Sequence, residues 1–519
     1  MSSTPRFALA AVSAPDARAS IVGRDVLSLG GSALEAALAM AAALAVTMPH
    51  RAGLGGDAQW LIREPSGRTH VLDAGGITGE KATGDFYRKV GHDEPPRRGA
   101  LAAAMVPGAV ASWELALEAA RAFGGKLPLT DLLAPAIRLA REGFTQSASA
   151  GRTPDDVAGL AEASGFTSAF CEGGKLIAAG ASRKAEKIGD LIEQIAHAGL
   201  RDFYRGDAGR EIAADMARLG ALLTRGDLEK FEAKVRKPLS TRVGPRTYFA
   251  APAPTQGFAL LHAFALHSRL GARAREDVAS LHALAEALKR TGAVAAPFSL
   301  DPALIEGDAL RWLAPDALER ERQAISSDRA APTAISPPQL ENAFFGAVDP
   351  TGLVVGCVTT LGDAYGAGCV LARTGLLLGN RAAAFSLDPR SPQTLAPGRK
   401  APHAPAPALC VHDEGDVMMF GSGAPQTDLQ IAARVAEGMG LAEAIDAPRL
   451  MTGWKTHLRM EDRFDPSVLR GLEKAGHDIA LDPAPASEAF APAGALLRHR
   501  KGSVEAAHDA RTNGAADGL

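Results

Sequence analysis

The stretch "ENAFFGAVD", residues 341–349, decides how the second part of this chain folds. It follows the irregular run "SSDRAAPTAISPPQLE" (326–341) and precedes "PTGLVVGCVTTLGDAYGAG" (350–368). The first run is rich in Pro, Ala and Ser, which favours a flexible linker. The apolar runs after it predict successive β-strands. The sequence therefore predicts a linker that ends abruptly in a strand, and this strand begins at Asn342.

Composition limits the kind of partner that this chain binds. It has 519 residues, of which 46% are hydrophobic and 22% charged, and its formal charge is −3. Such a length allows a large core and two to four domains. The weak net charge provides no strong field for nucleic acid or an anionic membrane. We therefore expect a small molecule or a protein as the partner, and neither nucleic acid nor a membrane.

The cysteines and the N-terminus suggest a reducing compartment. The four cysteines, Cys171, Cys357, Cys369 and Cys410, form no CxxC pair and no Cys/His group at metal-ligand spacing. We therefore expect neither a disulfide framework nor a metal or other cofactor. The first apolar run is too short for a secretory signal, and no run approaches about 18 apolar residues. The sequence thus predicts a cytoplasmic protein.

Hydrophobic periodicity separates helices from strands along the chain. Residues 17–50 carry two Ala-rich helical runs split at Gly30–Gly31, and residues 106–325 are mostly helical with few strands. Short β-branched or aromatic runs follow residue 342, interrupted by a Pro-rich segment (386–408) that predicts a long loop. Strands and helices in separate blocks favour a layered α/β architecture.

Five ordered blocks resemble the γ-glutamyltranspeptidase family, over nearly the whole chain. They are "GGSALEAALAMAAALAVTMPHRAGLGGDAQWLI" (30–62), "VPGAVASWELALEAARAFGGKLPLTDLLAPAIRLAREGF" (106–144), "GALLTRGDLEKFEAKVRKPLS" (220–240), "APAPTQGFALLHAFAL" (251–266) and "AIDAPRL" (444–450). Two further segments, "GNRAAAFSLDP" (379–389) and "LAPGRKAPH" (395–403), are more similar to a cytoplasmic amide-hydrolase branch than to the secreted glutathione hydrolases. The resemblance implies an N-terminal-nucleophile (Ntn) hydrolase αββα sandwich, made as one precursor that cuts itself in two. Residues 1–341 would be the helix-rich, large-subunit-like region and residues 342–519 the small-subunit-like region, together one compact unit.

The resemblance also shows what this sequence lacks at the reaction centre. Self-cleavage and amide hydrolysis need a hydroxyl or thiol on the first residue of the downstream strand. The family's Thr-Thr pair has Asn342-Ala343 as its counterpart here, and a neutral amide is a poor nucleophile. Thr360 matches the Thr that supports the nucleophile, although a Thr kept for its strand propensity explains it equally well. The sequence thus predicts an unprocessed chain with weak or absent catalysis.

The oxyanion turn differs as well. In the family, adjacent glycines after the strand "VMMFGSG" donate backbone N–H groups, and the resemblance places Ala424 and Pro425 at these positions. Proline has no N–H to donate, and losing one such donor costs about 10²–10³ in kcat. The alternative is a turn realigned by one residue, in which Gly421 or Gly423 supplies the donors.

Recognition of a γ-glutamyl group is also expected to be weak. The resemblance places Gly75 where relatives hold an Arg, Ala384 where they hold an acidic residue and Gly362 where they hold an Asn. Arg381 and His403 match the amide-hydrolase branch and are the candidates for binding a small amide or carboxylate, with a structural role as the alternative.

Three hypotheses about function remain open. The first is an inactive family member that binds or regulates, as a homo-oligomer or paired with an active paralogue. The second is an atypical amide hydrolase or γ-glutamyl transferase that uses Thr360, Cys357 or a water activated by His403. The third is a structural partner without a ligand. The loop "AGLGGD" (52–57) lacks the Lys of a phosphate-binding P-loop, so we interpret it as a tight turn.

Overall fold

Two stacked seven-stranded sheets, covered by helices on their outer faces, form the core of the molecule. The structure is a computed structural model that describes residues 4–151, 157–271, 275–335, 341–483 and 490–519. One core cluster joins the first sheet to the N-terminal helices, a second joins the second sheet to later helices, and a third fills the space between the sheets. The predicted αββα sandwich is therefore confirmed.

The helices of the described residues cover both outer faces of the sandwich. No described helix combines the length and the apolar character needed to cross a membrane. The helices are α1 (Ala17–Ser28), α2 (Ala33–Thr47), α3 (Gly84–Lys89), α4 (Ala109–Ala122), α5 (Leu129–Glu142), α6 (Ala148–Gly151), α7 (Val157–Ala161), α8 (Phe166–Phe170), α9 (Glu186–Ala198), α10 (Asp202–Arg205), α11 (Asp207–Leu219), α12 (Arg225–Lys230), α13 (Gly257–Arg269), α14 (Val278–Ala295), α15 (Pro315–Gln323), α16 (Pro425–Ala436), α17 (Leu441–Asp446) and α18 (Pro466–Lys474).

The strands belong to the two large sheets and to three small ones. The strands are β1 (Arg6–Phe7), β2 (Ala11–Ala14), β3 (Asp57–Arg63), β4 (Thr69–Ala74), β5 (Phe144–Thr145), β6 (Cys171–Glu172), β7 (Lys175–Leu176), β8 (Ser182–Arg183), β9 (Lys234–Arg236), β10 (Leu239–Val243), β11 (Arg246–Ala250), β12 (Glu341–Val348), β13 (Val354–Gly362), β14 (Ala408–His412), β15 (Val417–Gly421), β16 (Leu450–Thr452), β17 (His457–Glu461), β18 (Asp478–Asp482), β19 (Gly494–Arg498), β20 (Val504–His508) and β21 (Ala515–Gly518).

Both large sheets combine strands from the two sides of residue 342. The first has the order β21-β2-β12-β13-β3-β4-β9, and the second β1-β20-β19-β15-β14-β11-β10. The strands after residue 342 therefore do not form one sheet of consecutive strands: β12 and β13 pair in the first sheet, β14 and β15 in the second. The Pro-rich segment before β14 carries the chain between the sheets, which explains its length. The division at residue 342 stays a prediction.

The split between the first two helices follows from local chemistry. Gly30 adopts φ +80°, a left-handed conformation that ends a helix at little cost. Ser32 and Glu35 then form a capping box that starts α2. Helix α2 is almost entirely buried, which suits its high alanine content because small side chains allow close packing.

Phe344 of β12 fixes how closely the two sheets approach each other. Its ring is 1% exposed and belongs to the cluster between the sheets. Glycines of the facing strands make room for the ring: a Cβ on Gly421 or on Gly494 would lie 2.7 Å from a ring carbon. On the neighbouring strand, a Cβ on Gly356 would lie 3.3 Å from the ring. The sheets thus meet through one aromatic ring in a slot lined by glycines.

We expect Gly421→Ala to destabilise the fold by about 1–3 kcal/mol, because the new methyl group overpacks the slot of Phe344. Gly226→Ala in α12 is the matched control, since a Cβ there would meet only Thr224 Oγ1 at 3.7 Å. It should be neutral or slightly stabilising. Urea unfolding of both variants measures the difference. Equal stability of the two variants would show that the slot is not tight.

Candidate active site

The predicted nucleophile position lies at one end of the first sheet, beside two other polar residues. Asn342 pairs with Thr360 across β12 and β13, and Thr360 pairs with Asp57 across β13 and β3. Neighbouring strands are about 4.8 Å apart, so the three residues form a row. All three are buried. The sheet register therefore brings Asn342 and Thr360 together as expected and adds Asp57 to the site.

The peptide bond before Asn342 is held by specific contacts. Thr360 Oγ1 donates a hydrogen bond to the carbonyl oxygen of Glu341 at 2.6 Å and accepts one from the N–H of Gly362 at 2.9 Å. The Glu341 carboxylate pairs with the buried Arg51 at 2.8 Å. A hydroxyl that donates a hydrogen bond to a carbonyl oxygen polarises that carbonyl for nucleophilic attack. The structure therefore has the contact that polarises the Glu341 carbonyl. The side chain that follows it is the amide of Asn342 and not a hydroxyl or thiol.

The turn after β15 reaches the same place from the second sheet. Gly423 has φ +75°, and a Cβ at this position would lie 2.6 Å from Asn342 Nδ2. Gly421 instead ends the strand, where its missing side chain makes room for Phe344. The structure thus places Gly423, but not Gly421, against Asn342. A role for either glycine as an oxyanion donor stays a prediction.

Ala424 and Pro425, which the resemblance aligns with the family's paired glycines, form the start of a helix. The N–H of Ala424 donates to Ser422 Oγ at 3.1 Å, and Ser422 Oγ lies 2.8 Å from Asp428 Oδ1. Pro425 is the first residue of α16, a position that suits proline because no N–H is required there. Burial raises the pKa of Asp428 to about 7. The Ala424 N–H is therefore already used inside the turn, and Pro425 has none.

A charged cluster lies next to the row of polar residues, and we define it as Arg236, Arg381, Lys400, Asp57 and Asp73. Asp73 pairs with Lys400 at 2.6 Å and with Arg236 at 3.2 Å. Burial opposes ionisation of Asp73, but Lys400 and the hydrogen bonds from Gln59 and Gly75 keep its pKa below the ordinary value. The cluster therefore holds buried ionised groups.

Lys400 lies close to a position where the family resemblance implies an arginine. A Cβ on Gly75 would be 3.8 Å from Lys400 Nζ and 3.5 Å from Asp73 Oδ1. The Lys400 ammonium thus lies beside Gly75, although the two residues are distant in sequence. An arginine at this place in relatives stays an implication of the resemblance.

Arg381 is buried and incompletely hydrogen-bonded. Its Nη2 donates to the carbonyl oxygen of Pro402 at 2.6 Å, and its Nε lies 3.9 Å from Asp57 Oδ2. Within the described part of the chain this Nε has no hydrogen-bond partner. Burial lowers the pKa of Arg381 and raises that of Asp57, whose other oxygen accepts from the N–H of Gly76. Arg381 therefore offers a buried N–H donor to a ligand.

His403 and Cys357, two of the groups named for an alternative mechanism, have pKa values that disfavour catalysis at neutral pH. Burial, followed by the charge of Arg381, lowers the pKa of His403 to about 4, so its ring is neutral at pH 7. Gln393 Nε2 lies 3.2 Å from His403 Nε2 and occupies that nitrogen. Cys357 is fully buried, and burial raises its thiol pKa well above the ordinary value. A reactive thiolate is thus disfavoured.

Asn380 occupies the space that Gly362 leaves. Gly362 has φ +102°, and a Cβ there would lie 2.2 Å from Asn380 Oδ1. Asn380 Nδ2 donates to Asp363 Oδ2 at 2.7 Å. Ala384 ends a short 3-10 turn that begins at Arg381 and adds no acidic group. The Asn380 amide therefore lies beside Gly362, the position where the resemblance implies an Asn, although it comes from another segment.

Sequence reasoning missed four residues of this site: Asp57, Asp73, Asn380 and Lys400. Asp57, Asn380 and Lys400 lie in segments that carry the family resemblance. The fourth residue, Asp73, is the acidic residue of "VLDAGG" (71–76), and its charge next to Gly75 could have marked it as a candidate. Their partners are far away in sequence, as with Lys400 and Asp73, so spacing alone could not pair them.

Comparisons with known proteins agree with this architecture. The family model described as gamma-glutamyltranspeptidase matches residues 19–519. The chain belongs to this family. It is 36% identical to the oxamate amidohydrolase proenzyme of Klebsiella pneumoniae subsp. pneumoniae, covering 97% of each chain, and 30% identical to a glutathione hydrolase-like proenzyme of Bacillus subtilis, covering 98% of each.

A solved structure supports the fold alone. The cephalosporin acylase from Bacillus halodurans superposes with a TM-score of 0.90 at 24% identity, covering 100% of this chain and 97% of that one. The predicted family and its likeness to the amidohydrolase branch are thus confirmed, together with the Ntn-hydrolase fold.

We expect His403→Gln to reduce the loss of stability on acidification. The folded protein binds a proton on His403 only near pH 4, whereas an unfolded histidine does so near pH 6.5. Stability present above pH 6.5 is therefore lost as the pH falls toward 4. Removing this group should decrease that loss by up to about 3 kcal/mol.

Urea unfolding between pH 4 and 7 measures this effect, with His197→Gln, at an exposed position of α9, as the matched control. The control should follow the wild-type pH dependence. An unchanged pH dependence in His403→Gln would contradict the buried, neutral state of His403.

Proposed function

We propose that this family member remains one uncut chain and binds a small carboxylate- or amide-bearing ligand without hydrolysing it. The observation that carries the proposal is Asn342, a carboxamide at the strand start where processing and hydrolysis need a hydroxyl or thiol. The relatives cited above are named proenzymes, and the resemblance implies a Thr where this chain has Asn342. The protein would act in ligand binding or regulation, as a homo-oligomer or with an active paralogue.

The charged cluster indicates the class of ligand. Its three cations and two carboxylates carry one positive charge in excess when all are ionised. An excess charge near buried groups is unfavourable, so a ligand with one negative charge would compensate it. The unpartnered Nε of Arg381 offers a donor to such a ligand. Oxamate, named in one relative, combines a carboxylate with an amide and fits this description.

An atypical amide hydrolase is the second candidate. The 36% identity to a protein named an amidohydrolase and the Thr360 hydroxyl on the Glu341 carbonyl favour it. The state of Cys357 and His403 weighs against it, because neither supplies an activated nucleophile or a strong base at neutral pH. Both candidates predict binding of the same ligand, and turnover distinguishes them.

We expect the purified wild-type protein to run as one band near 53.6 kDa. Asn342→Thr should produce some cleavage before residue 342, into pieces of 341 and 178 residues of the 519, because Thr360 already polarises the Glu341 carbonyl. Asn342→Ala is the matched control and should stay whole. Denaturing electrophoresis and intact mass measure the products.

Turnover should remain low in Asn342→Thr, since Ala424 and Pro425 supply no oxyanion donors. Adding Ala424→Gly and Pro425→Gly should increase ammonia release from simple amides far more in the Asn342→Thr background than in the wild type. Wild-type protein cut before Asn342 would overturn the proposal. Equal gains in both backgrounds would show that the 421–428 turn is not the oxyanion turn.

We expect oxamate to raise the melting temperature without release of ammonia. Binding at 100 times Kd adds about 2.7 kcal/mol to stability. Glutathione should give no micromolar binding by calorimetry, since Ala384 offers its amine no carboxylate. Arg381→Lys should weaken oxamate binding at least tenfold, because lysine cannot reproduce the guanidinium geometry.

Arg373→Lys is the matched control, as the exposed Arg373 guanidinium lies 3.9 Å from Glu211. It should bind oxamate like the wild type. Catalytic release of ammonia by the wild type would favour the hydrolase instead. Absence of any oxamate-induced stabilisation would contradict this class of ligand.

A further inference from the structure

Two histidines and a glutamate meet inside the second layer of helices, away from the candidate active site. His282 and Glu286 lie four residues apart on α14 and so share one face of the helix. His477 follows α18 and lies against them, and all three side chains are buried. His282 Nδ1 lies 2.9 Å from His477 Nε2, which lies 3.9 Å from Glu286 Oε1. One potential ligand atom from each thus falls within 4.8 Å of the others.

We propose that His282, Glu286 and His477 bind one divalent ion of the zinc class. Imidazole nitrogens and carboxylate oxygens are ligands that Zn²⁺ takes at about 2.0–2.2 Å. Two nitrogens in a tetrahedral zinc site lie about 3.3 Å apart, so the two rings need to separate by only a few tenths of an ångström. A second carboxylate oxygen or a water completes four ligands.

The hydrogen bonds around the rings prepare them as ligands. His282 Nε2 lies 3.0 Å from the carbonyl oxygen of Ser326, so Nε2 carries the proton and Nδ1 presents its lone pair. A metal-binding histidine commonly donates its other N–H to a carbonyl in this way. Burial, followed by Lys289 and His282, lowers the pKa of His477 to about 3, so this ring is neutral. A change of tautomer frees its Nε2 for the ion.

Lys289 competes with the proposed ion. Its buried ammonium pairs with the Glu286 carboxylate and donates to the carbonyl oxygen of Ala331 at 2.6 Å. The pair is neutral, so a divalent ion adds buried positive charge beside the ammonium. Removing this ammonium should therefore strengthen metal binding. If the three residues formed only a structural hydrogen-bond network, its removal would instead lower the stability of the fold without any gain in metal binding.

A route for the ion and a role for it follow from the surroundings. A cleft of about 470 Å³, lined in part by His282 and Ser326, lies against the site. Ser326 and Ala331 belong to the linker before β12, and the N–H of Ala331 lies 3.3 Å from Glu286 Oε2. A bound ion would hold these groups in place. It would therefore fasten the linker, from residue 326 to 335, to α14.

Two measurements on the chelator-treated full-length protein test the proposal. The first is titration with Co²⁺ followed by visible absorption, and the second is the zinc content after dialysis against Zn²⁺. We expect one equivalent of bound metal per chain in the wild type, and loss of this metal in His282→Ala and His477→Ala. His499→Ala is the matched control, because His499 lies near Asp416 and Glu505 at a partly exposed place and should leave binding unchanged. If the alanine variants fold poorly, Glu286→Gln serves instead, because it preserves the shape of the side chain. It should weaken metal binding at least tenfold.

Lys289→Met gives the sharpest outcome. It should tighten Co²⁺ and Zn²⁺ binding at least tenfold relative to the wild type. Zn²⁺ should also slow proteolysis within residues 326–335 in the wild type but not in His477→Ala. Absence of bound metal in both the wild type and Lys289→Met, or retention of metal in His282→Ala and His477→Ala, would overturn the proposal.

Discussion

The close approach of the two sheets at Phe344 is the constraint on which the rest of the structure depends. A ring of this size fits between the sheets only because Gly421 and Gly494 have no side chains opposite it. The strand that carries Phe344 is thereby fixed in depth and register. Asn342, two residues earlier, falls at the end of the sheet, against the left-handed Gly423 of the second sheet. The location of the site follows from packing and not from the chemistry of residue 342.

The same separation applies to the residues around Asn342, whose places follow from strand pairing and helix geometry. Thr360 depends on the β12–β13 ladder for its place, and it contacts the Glu341 carbonyl whatever side chain follows. Pro425 is incompatible with oxyanion donation, yet it suits the first turn of α16. Asn342 and Pro425 therefore both fit the local structure, and the charged cluster lies beside Asn342 and Thr360.

The sequence predicted the helices and the fold better than the contacts of the site. The Gly30–Gly31 pair is a local signal, and it places the split between the first two helices correctly. The assignment of β12 and β14 to different sheets was not predicted, because hydrophobic alternation shows that a strand is half buried but not which sheet it joins. Lys400 and Asp73 are 327 positions apart, so only the folded chain shows that they form an ion pair.

The same limit applies to the histidine cluster, which no pattern in the sequence indicates. His282 and Glu286 show a helical spacing, but His477 is 195 positions away, and a lone histidine in an apolar helix is usually a core residue. The linker makes this cluster relevant to the active site. Thr333 pairs with Lys455, Ala331 is held by α14, and Glu341 is held by Arg51. These contacts hold the linker up to residue 335 on one side and the first residue of β12 on the other, so the histidine cluster and the candidate active site lie at the two ends of residues 326–341.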